Sequence, residues 1–312
     1  MTLPKRPLIT IVIPSFNQGR YIRETIDSTL GQDYRPIEIL VFDGGSKDET
    51  VDVLKSYGGV AELQWWSEPD RGVVDAVNKG LTRARGEIVA IQSSDDLYVP
   101  GALTAAIDAF NAAPDVVLVY GDVEYIDEQS RLKGRTNLPP FDLLAYIGKR
   151  TFIPQPAAFF TAEAMRKAGL WRDDISYAAD AEFYLRLAAT GRVVKLDRDL
   201  ARYRYHDEQR DKAATQVPRD WAKAIEPWAK SPDRAVRRAA RSGIDLVRLH
   251  YMPEKQWIRR TLFVWHALAV NPALIADKEF RLSNRDLVPG RYPIWRLLSR
   301  IKRGLGFTPR GS

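Results

Sequence analysis

One short segment of the sequence carries the side chains best suited to chemistry. Ser94-Asp95-Asp96 follows the apolar run 88–91, which is typical of a buried strand. Adjacent carboxylates at a strand end repel each other, so a cation between them would stabilise the pair. Their hard oxygen atoms suit Mg²⁺ or Mn²⁺, which keep several waters and bind substrate phosphates. The alternative is an exposed Asp-Asp turn in which Asp96 caps the next helix.

Alternating strands and helices are expected to place this segment beside two other polar loops. Apolar and periodic runs predict strands at residues 8–14, 37–43, 63–66, 88–91 and 116–120, with helices at 21–30, 50–56, 73–82 and 101–111. This alternation is typical of βαβ units and a mostly parallel sheet. Ligands of such sheets bind beyond the carboxyl ends of the strands. Three polar groups are therefore expected at one rim: residues 14–17, 43–46 and 93–96.

The second part of the chain has a different pattern. Residues 152–160 and 192–204 look like strands on either side of a helix at 181–189. From about residue 211 the sequence is typical of helices interrupted by prolines. We therefore expect an α/β domain at residues 1–210 and a helical region at residues 211–312.

Composition excludes several classes of protein. The chain has 312 residues, of which 45% are hydrophobic and 28% charged, and this argues against a disordered or collagen-like protein. Without cysteine there are no disulfides and no thiolate chemistry, which fits a reducing compartment. The net charge is +7, but residues 259–312 alone hold 11 basic and 3 acidic side chains, a net of +8. A uniformly basic surface for nucleic acid is therefore not expected.

Residues 67–96, SEPDRGVVDAVNKGLTRARGEIVAIQSSDD, resemble a specific run in family 2 glycosyltransferases of the GT-A fold. The family pattern is close to S-E-x-D-x-G-x-x-D-A-x-N-K-G, then A-x-G-x-x, then S-D-D. The segments IVIPSFNQGRYIRETIDSTLGQDY and EILVFDGGSKDET agree with the family as well. The resemblance covers roughly residues 8–206. It implies a Rossmann-like, mostly parallel central sheet flanked by helices, and a transferase of the bacterial polysaccharide-biosynthesis type.

The resemblance implies that a nucleotide-diphosphate sugar, expected to be a UDP-sugar, binds in the first half of the domain, about residues 1–120. Asp43 is expected to accept a hydrogen bond from the base, beside a wall shaped by Pro14, Ser15 and Asn17. Further contacts near the base and ribose are expected from Asp70, Arg71, Gly72, Asn78 and Lys79. Without the resemblance, residues 70–72 would be a plain loop and residues 78–79 a polar helix face.

The resemblance also implies where the reaction occurs. It assigns Asp95 to the ribose or to a metal-bound water, and Asp96 to direct coordination of Mn²⁺ or Mg²⁺, which would neutralise the diphosphate leaving group. Ser94 is expected among the donor-binding residues, and Asp95 is a candidate metal ligand as well. Asp180 lies in a segment like the family's A-D-x-x-x-x-x-R, whose Asp is the catalytic base. A sugar hydroxyl is a poor nucleophile, so a carboxylate must accept its proton. Asp180 could also cap the helix that follows, and the two roles are compatible.

Two further residues are expected at the edge of the site. His206 matches a histidine in the family's R-x-H that can reach the metal or the diphosphate, although a lone histidine is more often structural. Gln155 stands where relatives often have a glutamine near the sugar or acceptor. The acceptor, a glycan or a lipid-linked molecule, is expected to bind in the second half of the domain, about residues 121–210.

The end of the chain predicts a surface for a different partner. Residues 293–305, PIWRLLSRIKRGL, have Arg and Lys beside one helical stripe of apolar side chains: Ile294, Leu297, Leu298, Ile301 and Leu305. Such a helix lies on an anionic membrane surface, or it packs on the catalytic domain with a solvated basic face. With no signal peptide and no run of 18 apolar residues, we expect a cytoplasmic protein, peripheral on the inner face of the plasma membrane.

Two other functions are compatible with such a fold. A non-catalytic nucleotide-sugar-binding protein would keep the fold, but the intact Asp96 and Asp180 argue against it. A nucleotidyltransferase would be expected to carry a Gly-rich phosphate loop after the first strand, where this chain has Pro-Ser-Phe-Asn at residues 14–17. We therefore expect a metal-dependent inverting glycosyltransferase.

Overall fold

The structure is a computed structural model that describes residues 3–206, 215–277, 280, 281 and 284. The chain divides into two compact units, one within Met1–Tyr146 and Thr151–Glu226 and the other within Ile147–Arg150 and Pro227–Ser312. The expected domain that ends at residue 210 stays a prediction. The expected basic helix at residues 293–305 lies outside the described residues.

One sheet in the first unit contains nine strands of the described residues: β1 (Ile9–Ser15), β2 (Ile37–Asp43), β3 (Leu63–Ser67), β4 (Ile88–Ile91), β5 (Leu97–Tyr98), β6 (Val116–Ile126), β7 (Leu132–Arg135), β8 (Ala158–Thr161) and β9 (Arg192–Arg204). The strand order is β3-β2-β1-β4-β8-β6-β9-β5, with β7 paired to β6. The first four strands of this order are parallel, which confirms the expected βαβ units. Antiparallel pairing of β8 with both β4 and β6 makes the rest of the sheet mixed.

Ten α-helices of the described residues connect or follow these strands: α1 (Gly19–Leu30), α2 (Thr50–Lys55), α3 (Val73–Arg83), α4 (Ala102–Ala112), α5 (Leu143–Ile147), α6 (Ala162–Ala168), α7 (Ala179–Ala188), α8 (Gln216–Ala229), α9 (Arg234–His250) and α10 (Trp257–Val270). Helix α7 begins two residues before the position expected from the sequence. The strand expected at residues 152–160 was wrong in its first half, because Pro154 and Pro156 cannot donate ladder hydrogen bonds and a 3₁₀ turn occupies Gln155–Ala157.

The core of the first unit explains why β1 and β2 read as continuous apolar runs. All seven residues of each strand are buried, since parallel sheets of this kind have elements packed on both faces. Helix α3 approaches β1 especially closely at Gly80, where a Cβ atom would overlap Cγ1 of Val12. This close packing fixes α3 against the strand whose end forms one side of the candidate site.

The second unit has a small core of its own. Helices α9 and α10 pack around the buried side chains Leu246, Leu249, Val264, Ala267 and Leu274. Within the described part of the chain, no helix has the length and apolar character needed to cross a membrane.

Candidate functional site

The carboxyl ends of β1 and β2 lie side by side, and hydrogen bonds join the loops that follow them. Ser15 is paired in register with Asp43. The backbone N–H of Asn17 donates to Oγ of Ser46 at 2.7 Å, and Oδ1 of Asn17 accepts from the N–H of Lys47 at 2.9 Å. Asn17 has a positive φ of 54°, a conformation that asparagine tolerates better than most residues. The structure thus brings the expected Ser15, Asn17 and Asp43 together.

The Asp43 carboxylate is bound by its own neighbours. It is 2% exposed, and Oδ2 accepts from the backbone N–H groups of Gly45 and Ser46 at 3.2 and 3.0 Å. Oδ2 also accepts from Oγ of Ser67 at 2.6 Å, and Oδ1 accepts from Oγ of Ser46. Asp43 therefore shapes the rim by joining β2 to β3, and its expected contact with a base stays a prediction.

The loop between β3 and α3 borders the same rim. Oδ1 of Asp70 accepts from the N–H of Gly72 at 2.8 Å, and Gly72 has a φ of 103° that favours glycine. A Cβ atom on Gly44 would lie only 2.8 Å from Oδ2 of Asp70, so the loop after β2 touches this aspartate. The Arg71 guanidinium donates to Asp75 at 3.0 Å and is otherwise largely exposed. Asp70, Arg71 and Gly72 thus lie in a loop beside the end of β2, and their expected contacts with the base and ribose stay predictions.

Two other residues expected to extend this binding region are engaged in structural contacts. The amide of Asn78 donates to the carbonyl of Trp171 and accepts from its N–H, both at 2.9 Å. Lys79 forms ion pairs with Glu68 at 3.1 Å and Asp75 at 3.3 Å. Desolvation opposes the charge of Lys79, but hydrogen bonds to these two carboxylates outweigh it and raise the pKa of Lys79. Asn78 is thus held by Trp171, whereas Lys79 is paired with Glu68 of the loop after β3. The ligand-binding roles of both residues stay predictions.

Gln155 supports the end of β4. Its Oε1 accepts from Oγ of Ser93 at 2.8 Å, and its Nε2 donates to the carbonyl of Ile91. Ser94, the next residue, is buried. Gln155 therefore positions the loop that carries the acidic pair, which is a different contact from the expected one with a sugar or acceptor.

The acidic pair after β4 meets the end of β9. Oδ2 of Asp95 lies 2.8 Å from Nε2 of His206. Oδ1 of Asp96 accepts from the backbone N–H of Arg204 at 2.8 Å, and Asp96 is 1% exposed. Burial and then the neighbouring Asp95 charge raise the pKa of Asp96 well above its usual value, although the Arg204 contacts act in the opposite direction. The structure thus brings Asp95, Asp96 and His206 together.

Arg204 is a site residue to which the sequence interpretation gave no role. Its side chain is 0% exposed, and it donates to the carbonyl of Asp95 at 2.8 Å, to Oγ of Ser130 at 2.9 Å and to Glu24 at 3.1 Å. The guanidinium carbon lies 4.7 Å from the centre of the Tyr21 ring. Arg204 is the arginine of the R-x-H match, so this motif could have identified it. A buried arginine next to a carboxylate pair provides positive charge and fixes the backbone.

The donor atoms are compatible with a hard divalent cation, but they do not form a complete cage. Among the described residues, no group of three or more His, Cys, Asp and Glu side chains is arranged to hold a metal. Two carboxylates would nevertheless suit Mg²⁺ or Mn²⁺, which usually take their other ligands from water and substrate phosphates. A cation beside Asp96 would also offset the burial of that carboxylate.

Asp180 lies in the first turn of α7, with Ala178 as the N-cap residue. The other acidic residue of this turn, Glu182, is buried and paired with Arg186 at 2.7 Å, so it is committed to the helix. The loop before α7 is held by Asp220 of α8, whose Oδ2 accepts from the N–H groups of Ser176 and Tyr177. No motif in the sequence pointed to Asp220. Asp220 is recognised only in the folded chain, where it is buried beside that loop.

Comparisons with known proteins identify the family of this chain. The family model described as glycosyl transferase family 2 matches residues 10–172. This chain belongs to that family. An uncharacterised glycosyltransferase of Rickettsia typhi is 30% identical over 215 residues, which are 65% of this chain and 65% of that protein. The family 2 chain thus spans just under two thirds of this relative.

Solved structures confirm the GT-A fold. Staphylococcus aureus TarS in complex with UDP-GlcNAc has a TM-score of 0.61 and 16% identity, over 86% of this chain and 82% of TarS. The mannosyltransferase PcManGT from Pyrobaculum calidifontis, in complex with GDP-Man and Mn²⁺, has a TM-score of 0.61 and 21% identity. This match covers 97% of the family 2 chain and 86% of PcManGT. The expected family and fold class are therefore both confirmed.

Proposed function

We propose that this chain transfers a sugar from a nucleotide-diphosphate sugar, specifically a UDP-sugar, to a hydroxyl group of a glycan or lipid-linked acceptor. The observation that carries the proposal is the acidic pair after β4, where Asp95 lies beside His206 and Asp96 is buried. We propose that Asp180, in the first turn of α7, faces the same site. Family membership supports glycosyl transfer. Related folds solved with UDP-GlcNAc and with GDP-Man support a nucleotide-sugar donor.

We propose that the carboxylates of Asp95 and Asp96 hold Mn²⁺ or Mg²⁺, with His206 as a further candidate ligand. The bound cation would stabilise the negative charge that develops on the diphosphate leaving group. The burial of Asp96 supports this proposal, because a buried carboxylate beside another carboxylate is stabilised by a nearby cation. PcManGT, which shares the fold, was solved with Mn²⁺.

The transfer itself requires one base. The acceptor oxygen attacks the anomeric carbon of the donor sugar and forms the new glycosidic bond. The bond between that carbon and the diphosphate oxygen breaks, and the nucleoside diphosphate leaves with the electron pair. Asp180 accepts the proton of the attacking hydroxyl, as a general base does. A single displacement inverts the anomeric centre, which is the outcome that we propose.

The exposed ring of Phe16 adds a binding element that the sequence interpretation did not assign. This side chain is 58% exposed and directly follows Ser15 at the rim. Aromatic rings at such positions stack on nucleobases. We therefore place the donor base at the ends of β1 and β2, near Asp43, with Asp70 and Arg71 toward the ribose.

We also propose that residues 293–305 bring the protein to an anionic membrane at the cytoplasmic face, where a lipid-linked acceptor would be met. Their apolar stripe and flanking basic residues support this proposal. Removal of residues 290–312 should weaken binding to anionic vesicles. Unchanged binding of the shortened chain would show that this segment is not the membrane contact.

The direct test is a panel of UDP- and GDP-sugars with and without Mn²⁺. Binding should raise the melting temperature of the protein, since a ligand that binds only the native state stabilises it by mass action. We expect the largest shift for a UDP-sugar with Mn²⁺, together with release of UDP when an acceptor is present. A panel in which no nucleotide sugar shifts the melting temperature would contradict the proposal.

A further inference from the structure

We propose that the outward face of helix α10 binds an anionic membrane surface directly. This face, which we call the α10 stripe, consists of Ile258, Leu262 and Trp265. These side chains are 60, 64 and 52% exposed, and their i, i+4, i+7 spacing places them on one side of the helix. Ile275, five residues after the end of α10, is 57% exposed as well. Large apolar side chains grouped in this way mark an interaction surface.

The opposite face of α10 is firmly packed, so the stripe cannot turn inward without loss of structure. Val264 and Ala267 are fully buried in the core shared with α9. Arg260 donates to the carbonyls of Leu249 and Met252, at 3.0 and 2.6 Å, and so satisfies carbonyls at the end of α9. These contacts fix the rotation of α10 about its axis and keep the α10 stripe on the outside.

The net charge of residues 227–277 favours lipid headgroups over other occupants of the α10 stripe. Residues 227–277 hold nine Lys and Arg and four Asp and Glu, a net of +5. Lys255, about one turn before Ile258, is exposed, and so is Arg259, which directly follows Ile258 in the sequence. Nδ1 of His266, the residue after Trp265, lies 2.6 Å from Oδ2 of Asp245. The positive charge of Arg248 also acts on this aspartate. A second copy would bring like charges together, whereas anionic lipid would neutralise them.

The length of α10 fits a helix that lies in the membrane plane. Its 14 residues would extend about 21 Å, less than the roughly 30 Å of the hydrocarbon core. Trp at the border of an apolar face is typical of helices at the membrane interface, because its ring is apolar and its N–H is polar. The α10 stripe would enter the interface while Lys255 and Arg259 remain at the headgroups. This contact is independent of glycosyl transfer and of residues 293–305.

The test measures sedimentation of the full chain with vesicles of phosphatidylcholine, with and without phosphatidylserine. We expect wild type to bind the anionic vesicles, and binding to fall as salt rises. The triple variant Ile258→Ser, Leu262→Ser, Trp265→Ser should lose at least about tenfold in partitioning, since each change removes apolar area that lipid would bury. Leu132→Ser, in the first unit and 63% exposed, is the matched control and should bind like wild type.

Several results would overturn the proposal. One is a full chain that does not bind anionic vesicles, and another is a triple variant that binds them as tightly as wild type. A dimer in light scattering that the triple variant converts to monomers would instead identify the α10 stripe as an interface between copies. Should the triple variant not fold, Leu262→Ser alone and Arg259→Glu provide the same comparison, and each should weaken anionic binding severalfold.

Discussion

Nε2 of His206 lies 2.8 Å from Oδ2 of Asp95, and the two side chains are 5 and 16% exposed. This contact joins the end of β9 to the loop after β4, across 111 residues of sequence. The ring of Tyr21 covers the imidazole, with ring centres 5.3 Å apart. The histidine therefore fixes the position of a carboxylate that we propose to meet the ribose or the cation.

A double-mutant cycle tests this relationship. Asp95→Asn and His206→Gln should each weaken the binding of UDP in the presence of Mn²⁺, because each change disturbs the same carboxylate. Residues in contact show coupling of about 0.5–3 kcal/mol, so the double variant should lose less than the sum of the single losses. Isothermal titration calorimetry gives the four dissociation constants. Strictly additive losses would mean that His206 acts independently of Asp95, as a direct metal ligand would.

The substitution Asp180→Asn tests the proposed base. The amide keeps the size of the side chain but cannot accept the proton, so turnover should fall by a factor on the order of 10² or more. The affinity for UDP should remain close to that of wild type. Turnover is measured as the release of UDP. The matched control is Asp173→Asn, which changes an exposed aspartate of the loop before α7. Equal turnover of Asp180→Asn and wild type would remove Asp180 from the mechanism.

The alternating half of the fold could be predicted from the sequence because each buried strand is a continuous apolar run. The sequence correctly placed β1, β2 and β4 and the polar residues that follow them. Short elements were missed: β5 has two residues and β7 is mostly exposed, so neither carries a hydrophobic pattern. Their positions depend on pairing with β9 and β6, which are distant in the sequence.

The candidate site shows the same division between local and long-range information. Motifs identified Asp95 and Asp96, which the structure brings next to His206 and Arg204. They did not separate residues that face the rim from residues that support it. Asn78 is bonded to Trp171, 93 residues away, and Gln155 is bonded to Ile91. Arg204 and Asp220 were missed for the same reason, since their partners lie far away along the chain.

Asp220 is expected to act by positioning the loop before α7. Asp220→Ala would leave the N–H groups of Ser176 and Tyr177 without this acceptor, at a cost of about 1–3 kcal/mol for each group left unsatisfied. We expect lower kcat with little change in the KM of the donor. Asp220→Asn keeps one carbonyl oxygen and should restore most of the activity. If Asp220→Asn loses as much kcat as Asp220→Ala, the positioning role is contradicted. Arg219→Ala, which changes an exposed neighbour on α8, serves as the control.

Asn78 should contribute to stability more than to donor binding. Asn78→Ala removes both hydrogen bonds to the backbone of Trp171, so the free energy of unfolding should fall by about 1–3 kcal/mol. The dissociation constant of UDP should stay within about twofold of wild type. Urea unfolding and calorimetry provide the two measurements, with the exposed Asn111→Ala as the control. A variant of normal stability that binds UDP poorly would instead support the expected ligand contact.

Asp122 of β6 should make the stability of the first unit dependent on pH. Burial pushes its pKa upward, but hydrogen bonds from Lys195, Leu138 and Thr136 outweigh this and lower the pKa below its usual value. Nζ of Lys195 lies 2.7 Å from Oδ2 of Asp122. A lowered pKa stabilises the fold above the unfolded-state pKa of about 4, and this contribution is lost as pH falls through the folded-state pKa. The variant Asp122→Asn tests this dependence, and it should be less stable than wild type by about 1–3 kcal/mol at neutral pH. The difference in the free energy of unfolding should shrink in acid. Urea unfolding at several pH values measures it, and Asp197→Asn, 97% exposed beside the same lysine, should show little effect. A deficit that stays constant from neutral to strongly acidic pH would exclude this linkage.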